Sequence, residues 1–193
     1  MTRRVKREAR ENRRERIAAA ALDVLATEGA RGLTHRAVDE SARLPLGSTS
    51  YYYRTRHELI DAAAALLCER DERDVREAFQ LDGVTSLLER WASRSHRRRL
   101  VARFELFLDA TRNPKTRTLL RRQRSGFLRA AERAFANAGA KDPALRGELL
   151  VATIDGVLLS HLFDPRASFD ELRRVISREL AAARPRRATK LRR

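Results

Sequence analysis

The sequence predicts an all-α protein: an N-terminal three-helix helix-turn-helix domain followed by a larger C-terminal helical bundle, about nine helices in total. Residues that favour helices, namely Ala, Leu, Arg and Glu, dominate the 193 positions, and no long stretch alternates apolar and polar residues as a strand would. Gly and Pro number only 8 and 5, so breaks are few. Apolar residues recur at helical spacing from Ile17 to Leu180.

A basic arm precedes the first helix. Residues 2–16 hold eight basic and three acidic side chains, and we expect this arm to be flexible. It either lies on phosphates or in a minor groove, as such arms can, or is a solvated tail. Apolar residues at helical spacing from Ile17 to Leu25 then predict a helix that runs to about Thr27, with Gly29 in its C-terminal cap.

The stretch 33–56 predicts two short helices joined by a tight turn. Thr34 is expected to cap the first, because its hydroxyl can accept an unpaired amide of the first turn. Pro45 cannot extend that helix, since its ring fixes φ and disfavours a helical residue before it. The chain restarts at Gly47 with a helix rich in hydroxyl groups, too polar to be buried. Two helices with such a turn are typical of a DNA-binding helix-turn-helix.

The run from Ile17 to Leu59 resembles the N-terminal DNA-binding domain of the TetR family of bacterial transcriptional regulators. The resemblance is carried by the helix end Glu28-Gly29-Ala30, the entry Leu33-Thr34, and the motif Gly47-Ser48-x-x-Tyr51-Tyr52-Tyr53-x-x-Arg56-x-x-Leu59. Three positions depart from the family's commonest pattern. Arg43 stands where a turn Gly is usual, Thr49 where Leu is usual, and Ser50 where a DNA-contacting Tyr is common.

Side chains expected to contact DNA share this motif. They are Thr34, Pro45, Leu46, Gly47, Ser48, Ser50, Tyr51, Tyr52 and Arg56. Of these, Ser48 and Tyr51 are predicted to reach bases, whereas Tyr52 and Arg56 are predicted to meet phosphates. A solvated Arg56 is the alternative.

The fourth helix links two predicted domains. Thr55 and Glu58 form a capping box that starts it, and its apolar residues continue toward Glu69. The predicted organisation is a basic arm and DNA-binding domain at 1–55, an effector-binding and dimerisation domain at 56–183, and a basic tail at 184–193 that we expect to be disordered.

The helix predicted from Ala144 to Phe163 is apolar on almost every side. Such a helix must be buried on more than one face, and in a chain of this size the second face fits another copy of the protein. The resemblance implies the same, because the family dimerises through its last two long helices, packed as a four-helix bundle. Residues predicted in the dimer interface are Leu149, Ala152, Gly156, Leu159, Phe163, Leu172 and Ile176.

Aromatic residues of the C-terminal bundle can wall an apolar cavity, the usual kind of small-molecule site. The predicted effector-binding residues are Trp91, Phe104, Phe107, Phe127, Ile154 and His161. Ordinary core packing is the alternative for each, and their joint role as a pocket is what the resemblance implies. Arginines crowd the middle of this domain, between Arg94 and Arg124. They form either a solvated basic face or a site for an anionic effector.

The formal net charge of +16 favours a polyanionic partner such as DNA, although an arginine-rich composition spread over solvated faces also accounts for it. No metal-ligand spacing, phosphate loop or nucleophile motif is present, so neither an enzyme nor a cofactor is predicted. No apolar run of membrane length or secretory signal is present either, and we expect a cytoplasmic protein. The predicted function is a homodimeric, ligand-responsive transcriptional regulator, most simply a repressor released from a palindromic operator by a small molecule. The alternative is a nonspecific, nucleoid-type basic protein.

Overall fold

The computed structural model describes residues 3–81, 83–164 and 174, and within these ranges the protein is all-α, as predicted. Eight helices lie in this part of the chain: α1 (Arg3–Gly32), α2 (His35–Ser41), α3 (Ser48–Tyr52), α4 (Arg56–Leu81), α5 (Gly83–Ala92), α6 (Arg97–Ala110), α7 (Pro114–Asn137) and α8 (Pro143–Phe163). The ninth predicted helix, opening near Ser168, falls outside the described residues, as do Leu172, Ile176 and the basic tail.

The N-terminal arm is helical from Arg3, so the expectation of a flexible arm is wrong for the described residues. Arginine and glutamate both favour helices, and Arg7 and Glu11, one turn apart, pair at 3.6 Å. The helix also passes the predicted end at Thr27 and reaches Gly32, with a kink at Gly29.

The first compact unit spans Met1–Gln123 and has its core between α1, α4 and α6. Its fully buried side chains include Ile17, Leu25, Leu59, Leu67 and Leu106. Burying one such side chain stabilises the fold by about 1.5–3 kcal/mol. Helix α1 packs more extensively on α6 than on α2 or α4. The helices of the predicted DNA-binding domain therefore share one core with α6.

The predicted capping box at the start of α4 is present in a slightly shifted form. The Thr55 hydroxyl accepts a hydrogen bond from the Glu58 amide at 3.1 Å, and the Glu58 carboxylate accepts one from the Arg54 amide at 2.7 Å. Because Glu58 reaches back one residue further than Thr55, it also ties down the chain leaving α3. Helix α4 continues past the predicted Glu69 to Leu81.

The second compact unit spans Arg124–Arg193 and, in its described part, pairs the C-terminal half of α7 with α8. Pro143 stands in the first turn of α8, where its missing N–H leaves no helical hydrogen bond unmade. At Gly147 a Cβ atom would lie 2.9 Å from the Glu132 backbone nitrogen, so only glycine allows the two helices to approach so closely. Arg124 and Asp155 form an ion pair across them. Over the described ranges, no helix has the length and apolarity needed to cross a membrane.

Cys68 is buried in the first unit, and burial together with Asp71 and Glu72 raises the pKa of its thiol to about 12. At pH 8 only about one thiol in ten thousand is then ionised, and the thiolate is the reactive form. We predict that a maleimide labels the native protein far more slowly than the protein in urea, measured by mass spectrometry. Equal labelling rates in the two states would contradict this placement.

Candidate nucleic-acid interface

Helix α2 begins as predicted and ends in a strained turn. The Thr34 hydroxyl accepts a hydrogen bond from the Ala37 amide at 3.1 Å, which confirms the N-cap. Arg43, standing where the family commonly has Gly, has a φ of 51°, in the left-handed region. This conformation costs a non-glycine residue about 1–2 kcal/mol. Arg43 thus holds a backbone conformation that suits glycine better than arginine.

Asp39 joins the two helices of the motif, a role that the sequence analysis missed. Its carboxylate, only 1% exposed, accepts hydrogen bonds from the Gly47 amide at 2.7 Å, the Thr49 amide at 2.7 Å and the Thr49 hydroxyl at 2.6 Å. A negative charge at a helix N-terminus is also favoured by the backbone dipoles. Asp39 therefore sets where α3 starts. The available signal was an acidic residue on the inward face of α2, between Val38 and Ala42.

Thr49, the second departure from the family's pattern, points inward and is fully buried. Its hydroxyl is satisfied by Asp39, so a polar pair occupies the core position that Leu usually fills. The third departure, Ser50, is exposed and donates its hydroxyl to the Gly47 carbonyl at 2.9 Å.

The outer face of the turn and α3 consists of side chains available to a partner. Leu46 is 72% and Tyr51 74% exposed, and Pro45, Gly47 and Ser50 are exposed beside them. Large apolar and aromatic groups exposed together mark interaction sites more often than single ones do. The structure thus brings five of the predicted DNA-contacting residues to one surface.

Ser48 and Tyr52 are half-buried, and the exposed Thr34 has its hydroxyl committed to the cap of α2. The Tyr52 ring packs edge-on against Tyr51, with 5.1 Å between the ring centroids. Tyr52 therefore supports the orientation of Tyr51, and its predicted phosphate contact stays a prediction.

Arg56 is neither solvated nor wholly free for phosphate. Its guanidinium donates to the Leu33 carbonyl at 3.2 Å and to the Ala30 carbonyl, so it joins the start of α4 to the end of α1. Its contact with DNA stays a prediction, to be made with its remaining donors.

Two arginines at the end of the basic arm hold the motif in place. Arg16 donates to the Ala42 carbonyl at 2.6 Å, and Arg14 lies over the Tyr53 ring, 4.6 Å from its centroid. Tyr53 is buried, and this desolvation raises the pKa of its hydroxyl, with Arg14 acting in the opposite direction. The Tyr53 carbonyl is 2.8 Å from the His35 ring. These arginines hence act within the domain, a role that a basic run in a sequence does not reveal.

Among the predicted effector residues, Trp91 is buried in a polar cluster. Its indole donates to Asp74 at 2.8 Å, and the Arg103 guanidinium stacks 4.0 Å from its ring centroid. A cavity of about 10 Å³, the size of one water, borders Trp91 and His96. Burial first, and then the neighbouring Arg99, lowers the pKa of His96, which favours its neutral form.

The cluster continues inward to Asp71, a fully buried carboxylate of α4. It accepts from Arg99 Nε at 3.1 Å and Gln123 at 3.0 Å, and pairs with Arg103 at 2.7 Å. Arg99 and Arg103 thus hold α6 to α4, and Gln123 holds α7 to α4. Other central arginines, such as Arg98 and Arg122, are exposed. Removing one partner of such a buried ion pair strongly destabilises a protein, because the other charge is left buried and unpaired.

The remaining predicted effector residues are half-buried. Phe104 and Phe107 lie in the first unit and pack edge-on, with 5.8 Å between their ring centroids. Phe127, Ile154 and His161 lie in the second unit. An open groove of about 540 Å³ lies between α1 and α4, and none of the predicted effector residues lines it. Their joint role as a pocket stays a prediction.

Helix α8 exposes one continuous apolar face, here called the α8 face. Its members are Leu145, Leu149, Ala152, Gly156, Leu159 and Phe163. Phe163 is 82% and Leu149 58% exposed, whereas Val151 and Leu158 on the other side are buried. Every described residue predicted in the dimer interface lies on this face.

Comparison with known proteins shows which family this chain resembles. The family described as "Tetracyclin repressor-like, C-terminal domain" matches residues 76–186. No curated protein matches the sequence of this chain. A TetR-family member from Streptomyces coelicolor A3 is 29% identical, with a TM-score of 0.68 over 90% of this chain and 99% of that one.

The multidrug binding protein EbrR, solved in complex with ethidium, is also 29% identical, with a TM-score of 0.65 over 86% of this chain and 98% of EbrR. EbrR has been solved with malachite green as well. A transcriptional regulator from Rhodococcus sp. Rha1 shares the fold at 20% identity, with a TM-score of 0.71 over 88% of this chain and 92% of that one. The family match covers more than half of the chain, which therefore belongs to the TetR family of transcriptional regulators.

Proposed function

We propose that this regulator is a homodimeric repressor that binds a palindromic operator through α2 and α3 and is released by a small-molecule effector. The observation that carries the proposal is the outer surface of α3. Asp39 fixes the start of this helix, and Tyr51 and Leu46 project from the turn and helix into solvent. In this division of labour residues 1–55 bind DNA, and residues 56–183 bind the effector and form the dimer.

The dimer follows from the α8 face together with the geometry of DNA. A dimer joined by this face carries two copies of α3, as binding to two half-sites requires, and half-sites one helical turn apart are roughly 34–36 Å from centre to centre. A palindromic operator then matches the two-fold symmetry of the protein.

Selection of bound duplexes from a random pool, at physiological salt, tests the proposal. We predict a palindromic consensus for the wild-type protein and altered preferred bases for Ser48→Ala and Tyr51→Ala. Tyr51 is mostly exposed, so its replacement should leave folding intact. Leu108→Ala, at another exposed apolar side chain, is the matched control and should select the wild-type consensus.

The nonspecific alternative gives a different result in the same experiment. A protein bound by charge alone retains no consensus, and its affinity falls steeply with salt for every duplex equally. Such a result for the wild-type protein would contradict the proposal that it binds a specific operator.

Release by an effector is tested by calorimetry, with malachite green as the first ligand because EbrR binds it. We predict that ligand and operator weaken each other by the same factor, about 5–150-fold for coupling of the usual size. Titration of the dye into operator alone corrects for direct binding to DNA. Tyr51→Ala, whose preferred bases are expected to differ from those of the wild-type operator, should bind the dye almost equally well with and without that operator. Equal dye affinities for the wild-type protein in both titrations would mean that this ligand is not an inducer.

A further inference from the structure

The end of α1 is a joint at which three helices meet. Gly29 has a φ of 69° and a ψ of −176°, a backbone conformation that is essentially restricted to glycine. The kink interrupts the helical hydrogen-bond ladder, so the next peptide groups need partners from elsewhere. Four residues after Ala30, Thr34 caps α2. A shift at Ala30 therefore reaches the DNA-binding motif through a very short connection.

Charged side chains from two other helices hold the backbone of Ala30. The Glu105 carboxylate of α6 accepts a hydrogen bond from the Ala30 amide at 3.0 Å. On the other side, the Arg56 guanidinium of α4 donates to the Ala30 and Leu33 carbonyls. Hydrogen bonds to charged groups are about twice as strong as neutral ones. A Cβ at Gly29 would lie 3.5 Å from Glu105, so this carboxylate lies directly against the kink.

Helix α6 is itself firmly placed. Ala102 and Leu106 are fully buried in the core shared with α1, and Arg99 and Arg103 bind the buried Asp71 of α4. Because these contacts fix α6 on both sides, Glu105 can hold the end of α1 in a defined position.

We infer that Glu105 is a positioning residue for DNA binding: through the Ala30 amide it sets the orientation of the α2–α3 motif relative to α6. The inference rests on the proposed function for its DNA-binding readout. It adds a second connection beside α4, at the end of α1, through which a movement of α6 reaches the DNA-reading helix.

The test compares Glu105→Ala and Glu105→Asp with the wild-type protein on the selected operator, by fluorescence anisotropy at fixed salt. Removing a negative charge would by itself strengthen binding to DNA. Positioning predicts the opposite sign, a loss of at least about fivefold, the lower end of usual coupling. Glu72→Ala removes an exposed carboxylate of α4 and serves as the matched charge control. Glu105→Gln, which keeps an acceptor oxygen, should return most of the affinity.

Hydrogen exchange of the Ala30 amide provides a readout independent of DNA. It should speed up in Glu105→Ala and Glu105→Asp but not in Glu72→Ala. Binding by both Glu105 variants as tight as that of Glu72→Ala would overturn the inference, and so would unchanged exchange at Ala30. Should Glu105→Ala fail to fold, Glu105→Asp, which keeps the charge and shortens the side chain, decides alone. A wild-type protein without any preferred duplex would instead refute the proposed function, while the exchange measurement still decides whether Glu105 holds α1.

Discussion

Replacing Asp39 by Ala is expected to abolish specific DNA binding and to lower the free energy of unfolding by several kcal/mol. The variant leaves the Gly47 amide, the Thr49 amide and the Thr49 hydroxyl without their acceptor. The Thr49 amide and hydroxyl are buried, and each buried group left unpaired costs about 1–3 kcal/mol. Helix α3 has only five residues, far too few to be stable without tertiary contacts. Loss of its N-terminal anchor should release the helix as well as weaken it.

Urea unfolding followed by circular dichroism measures the stability, and anisotropy on the selected operator measures the binding. Glu40→Ala is the matched control, since it removes the neighbouring carboxylate of the same helix. Glu40 forms an exposed pair with Arg36, and such pairs contribute only about 0–1 kcal/mol. Asp39→Ala with the stability and operator affinity of Glu40→Ala would contradict the assigned role.

A double variant separates the hydroxyl from the two amides. Thr49→Val removes the hydroxyl at nearly constant volume, so Asp39→Ala combined with Thr49→Val leaves one fewer unpaired group than Asp39→Ala alone. The two substitutions should therefore cost less together than the sum of their separate effects. Full additivity would mean that the Thr49 hydroxyl does not depend on Asp39.

The parts of this fold that were predictable are those fixed by local chemistry. Thr34 caps α2 because a hydroxyl can reach an amide three residues ahead. Pro45 bars a helix from running through the turn, although α2 itself already ends at Ser41. The α8 face could be predicted because helical periodicity alone places Leu149 and Gly156 on one side. In each case the residues that decide the feature lie within one short segment of the sequence.

The parts that were missed depend on partners distant in sequence. Glu105 meets Ala30 across 75 residues, and Gln123 meets Asp71 across 52. In the sequence, a charged residue that will be buried and paired looks like one that will be solvated. The bonds of Arg56 to the Ala30 and Leu33 carbonyls were therefore not foreseen, while its predicted contact with phosphate stays a prediction. Asp39 was passed over although its partners lie only eight and ten residues ahead, because an acidic residue on an inward helix face does not itself show which amides it will meet.

Replacing Gly156 by Glu is expected to convert the protein to a folded monomer with greatly weakened operator binding. Gly156 lies in the α8 face, and a Cβ added there meets no heavy atom within 4 Å. Glutamate also has a higher helix propensity than glycine, so α8 itself should not suffer. The single chain therefore accommodates the substitution, and its cost arises only when a second copy covers the face and buries an unpaired charge.

The two consequences can be measured separately. Sedimentation velocity gives the mass, and anisotropy on the full palindrome gives the affinity. Joining two DNA-binding modules raises the affinity for a two-site target by about 10²–10⁴-fold, so a monomer should lose a factor of this size. On a single half-site, the variant and the wild-type protein should bind almost equally. That comparison distinguishes loss of pairing from damage to α3.

Ala144→Glu is the matched control, because it adds the same charge at an exposed small residue of α8 outside the α8 face. It should stay dimeric and bind the palindrome as the wild-type protein does. A dimeric Gly156→Glu protein would move the interface away from the α8 face. A monomeric Gly156→Glu protein with undiminished affinity for the palindrome would separate operator binding from dimerisation, because the α8 face is then not what brings two DNA-reading helices to one duplex.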